Sequence, residues 1–119
     1  MAKESPLSST RGFRVRTYQA DDVMVVECEG RLISDNAPLL RMEIKDLVPL
    51  HPRIVLDLKQ VPQMDSAGLG LLVGLYVTAR TRGCRLELIN ANEAIRKLFS
   101  VTNVLSLFEP AGRHYGKTI

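Results

Sequence analysis

Tryptophan is absent from this chain and aromatic residues make up 5% of it, so its core has to be built mainly from Leu, Val and Ile. Cysteine is nearly as scarce. Cys28 and Cys84 stand far apart in the apolar stretches "VVECEG" and "GCRLELI", with no histidine nearby at ligand spacing. Two buried, reduced thiols are expected, and neither a disulfide framework nor a metal centre. No long hydrophobic run occurs: the longest, roughly 67–77, falls short of the about 20 residues that cross a bilayer. The N-terminal "MAKESPLSSTRG" has no apolar core of signal-peptide length, so a cytoplasmic location without membrane contact is expected. Blocks of like charge are missing as well. The net charge is +3, but the basic residues are scattered from Arg11, Arg14 and Arg16 through Arg80, Arg82 and Arg85 to Lys117. No aromatics interleave with a basic stripe, which argues against nucleic-acid binding.

What is present suits one compact domain. The chain has 119 residues, 45% hydrophobic and 24% charged, close to the globular average. Residues 1–12 are small and polar and read as a flexible tail, 13–110 as the domain, and 111–119 as a polar C-terminal tail. "FRVRTY" alternates apolar and basic positions, "QADD" interrupts, and "VMVVECEG" resumes with β-branched residues. These are two strands joined by a turn, expected to be antiparallel. In "SDNAPLLRMEIKDLVPL" Leu39, Leu40, Ile44 and Leu47 recur at helical spacing behind Ser34 or Asp35 as cap, and Pro49 and Pro52 close the helix. "RIVLDL" suits a strand buried on both faces, and "KQVPQM" a loop. A helix is expected from Ser66 to about Arg82, stopped by Gly83. "CRLELIN" is a further strand, "NEAIRKLFSV" a short helix, and "NVLSLFEPAG" a last short element. Alternating strands and helices imply an α/β fold with a mixed, partly parallel sheet.

The chemistry concentrates in "MDSAGLGLLVG", Met64 to Gly74. A strand, a loop and a serine at the mouth of a helix have the layout of a nucleophile elbow. That turn needs glycine two residues before and two after the serine; Gly68 is there, but Met64 takes the other place. His51 and His114 are the histidines, neither of them placed as a base, and without one a serine hydroxyl is a poor nucleophile at neutral pH. The glycines Gly68, Gly70 and Gly74 miss the dinucleotide spacing by one residue, and Glu87 lies inside a strand. No Gly-Lys-Ser/Thr follows to make a phosphate loop. The plainest role for Ser66 is a helix N-cap. If Asp65 caps instead, Ser66 becomes a first-turn residue with its hydroxyl free near the positive end of the helix, a favourable place for a phosphate.

The helix carries a second feature. Leu69, Leu71, Leu72, Val73, Leu75, Tyr76 and Val77 spread over more than the half-circle that a surface helix buries, with Gly70 and Gly74 together on the remaining side. One face is expected on the sheet and part of the rest against another protein, with Leu71 and Leu75 as partner anchors if exposed, and Leu72, Val73 and Tyr76 covered by neighbouring helices.

The run "RIVLDLKQVPQMDSAGLGLLVGLYVTARTRGCRLELINANEAIRKLFSVTNVLSLF", preceded by "VMVVECEGRLISDNAPLLR", resembles the STAS domain of bacterial anti-sigma factor antagonists. The likeness extends from about Phe13 to Phe108 and rests on the strand ending in Asp57, on Asp65-Ser66-x-Gly68, and on Gly83-x-x-Leu86. The resemblance implies an α/β fold with a mixed four- or five-stranded sheet flanked by α-helices. It also implies a switch without catalysis, cofactor or metal, monomeric, in which Ser66 is phosphorylated by an anti-sigma factor with serine kinase activity and reset by a serine phosphatase. On this reading the unphosphorylated chain binds the anti-sigma factor and so frees a sigma factor. Asp65, Ser66, Gly68, Leu69, Leu71 and Leu75 would form the partner-binding surface, and Asp57 would hold the site loop by hydrogen bonding. One departure stands out: after Gly30-Arg31-Leu32 comes Ile33, where these proteins commonly carry an acid beside the phosphorylation site. The rival readings are a STAS scaffold or transporter accessory in which Ser66 is never modified, and a serine hydrolase.

Overall fold

Val23 follows Ala20 through a two-residue turn in which Asp21 takes the left-handed conformation (φ 58°), a region that Asp tolerates better than most side chains. The turn joins two antiparallel strands, β2 (Phe13–Ala20) and β3 (Val23–Glu29), as the interrupted alternation predicts. The computed structural model describes residues 8–10 and 12–103. Within them the elements run β1 (Ser8–Thr10), β2, β3, α1 (Ala37–Leu47), a 3-10 turn (Val48–Leu50), β4 (Arg53–Gln60), α2 (Ser66–Thr81), β5 (Arg85–Ile89) and α3 (Glu93–Val101). The strands form one sheet in the order β1-β2-β3-β4-β5. β1 and β2 pair antiparallel, as do β2 and β3, whereas β3–β4 and β4–β5 are parallel. α1 and α2 make the two crossovers that parallel pairing requires.

The register explains where the core lies. Met24 pairs with Ile54 and Ile54 with Leu86; Val26 pairs with Leu56 and Leu56 with Leu88. These residues, with Phe13, Val15, Cys28 and Leu58, share one face and are buried. The three helices press onto the same cluster through Leu40 and Ile44, through Leu69, Leu72, Leu75 and Ala79, and through Ile95 and Phe99. The opposite face holds charge pairs: Arg14 with Glu29 at 2.7 Å, and Arg53 with Glu87 at 3.0 Å.

Several local expectations change. Ser8–Thr10, placed in the N-terminal tail, pairs with β2 as an edge strand. β4 is not buried on both faces: Ile54, Leu56 and Leu58 are buried while Arg53, Val55 and Asp57 are half-buried, because the described helices pack on one side of the sheet. The residue ahead of α1 is Asn36, not Ser34 or Asp35, and it donates no cap to the helix. Its Oδ1 instead accepts from the Ile33 N–H at 3.0 Å, which pins the preceding loop. Gly83 closes α2 with φ 76°, as expected. The segment "NVLSLFEPAG" and the C-terminal tail lie, from residue 104 on, outside the described residues.

Candidate functional site

Two loops at the C-terminal ends of parallel neighbours β3 and β4 meet beneath the start of α2. Leu32 and Met64 form an isolated parallel bridge. The Leu32 N–H donates to Gln63 O at 2.9 Å and the Asp65 N–H to Leu32 O at 3.3 Å. Parallel pairing thus continues past the strands and fixes the residue before Ser66 against the loop that leads into α1.

Asp65 is the N-cap of α2, in extended conformation. Its Oδ1 accepts from the Gly68 N–H at 2.9 Å, and its Oδ2 accepts from the Ser34 N–H at 3.3 Å. One carboxylate therefore satisfies a free amide of the helix start and ties both loops together, in the place where the helix dipole favours negative charge. Ser66 is the first helical residue and is exposed. The open alternative between Ser66 and Asp65 as cap is settled in favour of Asp65.

Gly68 is buried, and its reason is contact rather than backbone angle. A methyl group there would run into the carbonyl oxygen of Leu32 and come within 2.9 Å of Met64 Cγ. The loop that holds Ile33 and Ser34 can therefore lie directly on the first turn of α2. Ile33 is half-buried there, its N–H held by Asn36.

The remaining site residues divide. Leu71 is half-buried and packs against the edge of the core, while Leu69 is buried. Leu75, read as a partner anchor if exposed, is 3% exposed and belongs to the core; that reading does not hold. The 3.6-residue turn carries Leu75 round to the same side as Leu72 and Ala79. Leu72 is buried and Val73 and Tyr76 are half-buried, and the exposed large apolar residue of α2 is Val77, at 56%.

Asp57 hydrogen-bonds at the start of the segment "KQVPQM" that was expected as a loop, whose first two residues extend β4. Its Oδ1 accepts from the Lys59 N–H at 2.9 Å and from Asn90 Nδ2 at 3.1 Å, which links the ends of β4 and β5. Asn92 holds the later part of that segment. Its Nδ2 donates to Val61 O at 3.3 Å and Pro62 O at 3.2 Å, while its Oδ1 caps α3 through the Ile95 N–H at 2.9 Å. Asn before a helical pattern was a legible cap signal; its second role depends on which loop lies beside it. Asn36 was missed likewise, since its hydrogen bond runs back to Ile33.

Among the described residues no group of His, Cys, Asp and Glu is arranged to hold a metal ion, and no helix is long and apolar enough to cross a membrane. Burial pushes the Cys28 thiol far up, with Asp57 and Glu27 adding to the shift, and it also raises the Cys84 thiol. Both shifts hold the thiols in the protonated form, which is the less reactive one.

A family model for the STAS domain matches residues 14–117. The chain is 29% identical over 102 residues to the anti-sigma-B factor antagonist of Bacillus subtilis (strain 168), which covers 86% of this chain and 94% of that protein. It is 32% identical over 82 residues to the anti-sigma-B factor antagonist of Listeria monocytogenes, covering 67% of this chain and 71% of the relative. The solved structure of an anti-sigma factor antagonist from Mycobacterium paratuberculosis superposes with a TM-score of 0.73 at 25% identity, over 81% of this chain and 82% of that one. A mixed sheet whose parallel loops cradle a capped helix, matched by relatives over nearly the whole chain, places this protein in the STAS domain family, among the anti-sigma factor antagonists.

Proposed function

We propose that the chain is a phosphorylation-controlled protein-binding switch of the cytoplasm, without catalysis of its own. With Ser66 unmodified it binds an anti-sigma factor that is also a serine kinase, and so releases a sigma factor. With Ser66 phosphorylated it lets go, and a serine phosphatase resets it. The observation that carries this reading is the division of labour at the start of α2: Asp65 takes the cap, and Ser66 stands exposed in the first turn. A kinase can reach that hydroxyl without opening the fold. The phosphate it leaves, about −1.5 to −2 charge at neutral pH, meets the positive end of the helix, so the domain keeps its structure. Release is then an interface event: a dianion beside Asp65 faces partner groups arranged for a neutral hydroxyl, and desolvating it is costly.

Calorimetric titration with the purified partner kinase in the presence of nucleotide tests this. Ser66→Ala is expected to bind and resist release and Ser66→Asp to bind poorly, both melting near wild type. Equal affinity of the two variants returns Ser66 to a structural residue of the first turn.

A further inference from the structure

A groove runs between α1 and α2, a cavity of about 220 Å³ lined by Arg41 and Lys45 on α1 and by Gly70, Leu71, Gly74, Leu75 and Thr78 on α2. Its α2 wall recurs at four-residue spacing, 70, 74 and 78, and Ser66 stands one turn ahead on the same stripe. Glycine inside a helix is unfavourable relative to alanine. Among the described residues nothing accounts for Gly70 or Gly74, because a methyl on either meets none of them within 4 Å, in contrast to Gly68. Arg41 and Lys45 are exposed, and among the described residues neither makes an ion pair. None of the described residues that line the groove carries a carboxylate.

We infer that this groove is the continuation of the Ser66 interface and takes an acidic helix of the anti-sigma partner. The glycines let its backbone approach α2 closely, and its carboxylates meet Arg41 and Lys45. The inference rests on the proposed switch and adds to it a reason for release. A partner recognised through its negative charge is repelled by a phosphate placed at the mouth of the groove, whereas a neutral serine leaves the attraction between the basic wall and the acidic helix intact.

The test uses the full chain and the anti-sigma factor kinase identified with it from the native host, purified and titrated at two salt concentrations. Arg41→Glu combined with Lys45→Glu is expected to weaken binding about tenfold or more and to flatten its salt dependence. Gly74→Leu is expected to weaken binding comparably while melting near wild type, since a Cβ at 74 meets none of the described residues within 4 Å. Groove variants that bind like wild type, while Ser66→Asp still weakens binding, overturn the groove and leave the switch standing. Failure of the wild-type chain to bind the kinase overturns both. A wild-type dimer that Gly74→Leu separates into monomers assigns the groove to a second copy of the chain and overturns the inference.

Discussion

At Gly68 and Gly74 the same residue type serves opposite ends. A methyl at Gly68 collides with the Leu32 carbonyl and Met64, and backbone cannot move aside as a flexible side chain can. Gly68→Ala is expected to destabilise the fold by about 1–3 kcal/mol, the range for overpacked sites. Gly74→Ala is expected to stabilise it by roughly 0.5–1 kcal/mol, because an exposed helix interior gains from alanine. Urea denaturation of the two variants checks both signs; a stabilising Gly68→Ala would show that the loop of Ile33 and Ser34 does not rest on the helix start. Asp65 is the other residue whose loss is felt twice. Asp65→Ala removes both the cap on Gly68 N–H and the tie to Ser34 N–H, and is expected to cost about 1–2 kcal/mol, the upper part of the capping range. Asp65→Asn keeps an acceptor oxygen for the cap and is expected to recover most of that loss.

α2 is apolar nearly all round, and its position beside α1 and against the sheet decides which residues are core. Leu75→Glu places a charge at a 3% exposed site in the core, where its desolvation is costly. The variant is expected to be largely unfolded by circular dichroism. Val77→Glu, on the same helix at 56% exposure, is expected to melt near wild type. If Leu75→Glu folded normally, the packing of α2 described above would be wrong. α3 matters to the site through its first turn, since Asn92 joins its cap to the loop 61–65.

For the whole molecule, burial of thiols makes a prediction about alkaline pH. Cys28 and Cys84 both have pKa values raised above their ordinary 9.0, first of all by burial, and Tyr18 is raised above 10.0 for the same leading reason. Each group therefore holds its proton more tightly folded than unfolded. Their contribution is fully present below about pH 9 and is lost as pH climbs, by up to about 1.4 kcal/mol per pH unit for each group that has ionised in the unfolded chain alone. Urea midpoints measured from neutral pH upward are expected to hold steady and then fall above pH 9. Cys28→Ala is expected to start lower, from the small cavity it leaves, but to fall less steeply. Identical slopes for the two proteins would mean that the thiol is not shielded.

Hairpin, crossover helices and parallel strands were all legible in the sequence, because alternation, helical spacing and turn residues are local signals that the fold leaves unchanged. The place of Ser66 was legible only as a pair of alternatives, since Asp-Ser before an apolar run lets either residue cap the helix, and it was the structure that gave the cap to Asp65. Three things were decided by tertiary structure alone. Which distant residues join the site loop depends on strand order: β5 lies beside β4, which brings Asn92 to Val61 and Pro62 and Asn90 to Asp57. Which apolar residues of α2 stay exposed depends on the placement of α1, because a helix with no polar face has no preferred orientation of its own and takes the one its neighbours impose. Which glycine is required depends on a carbonyl from a loop far away in sequence. A chain's local pattern sets the elements through forces between near neighbours, whereas contacts between its distant segments exist once the sheet has formed, and the surface around Ser66 is made of those contacts.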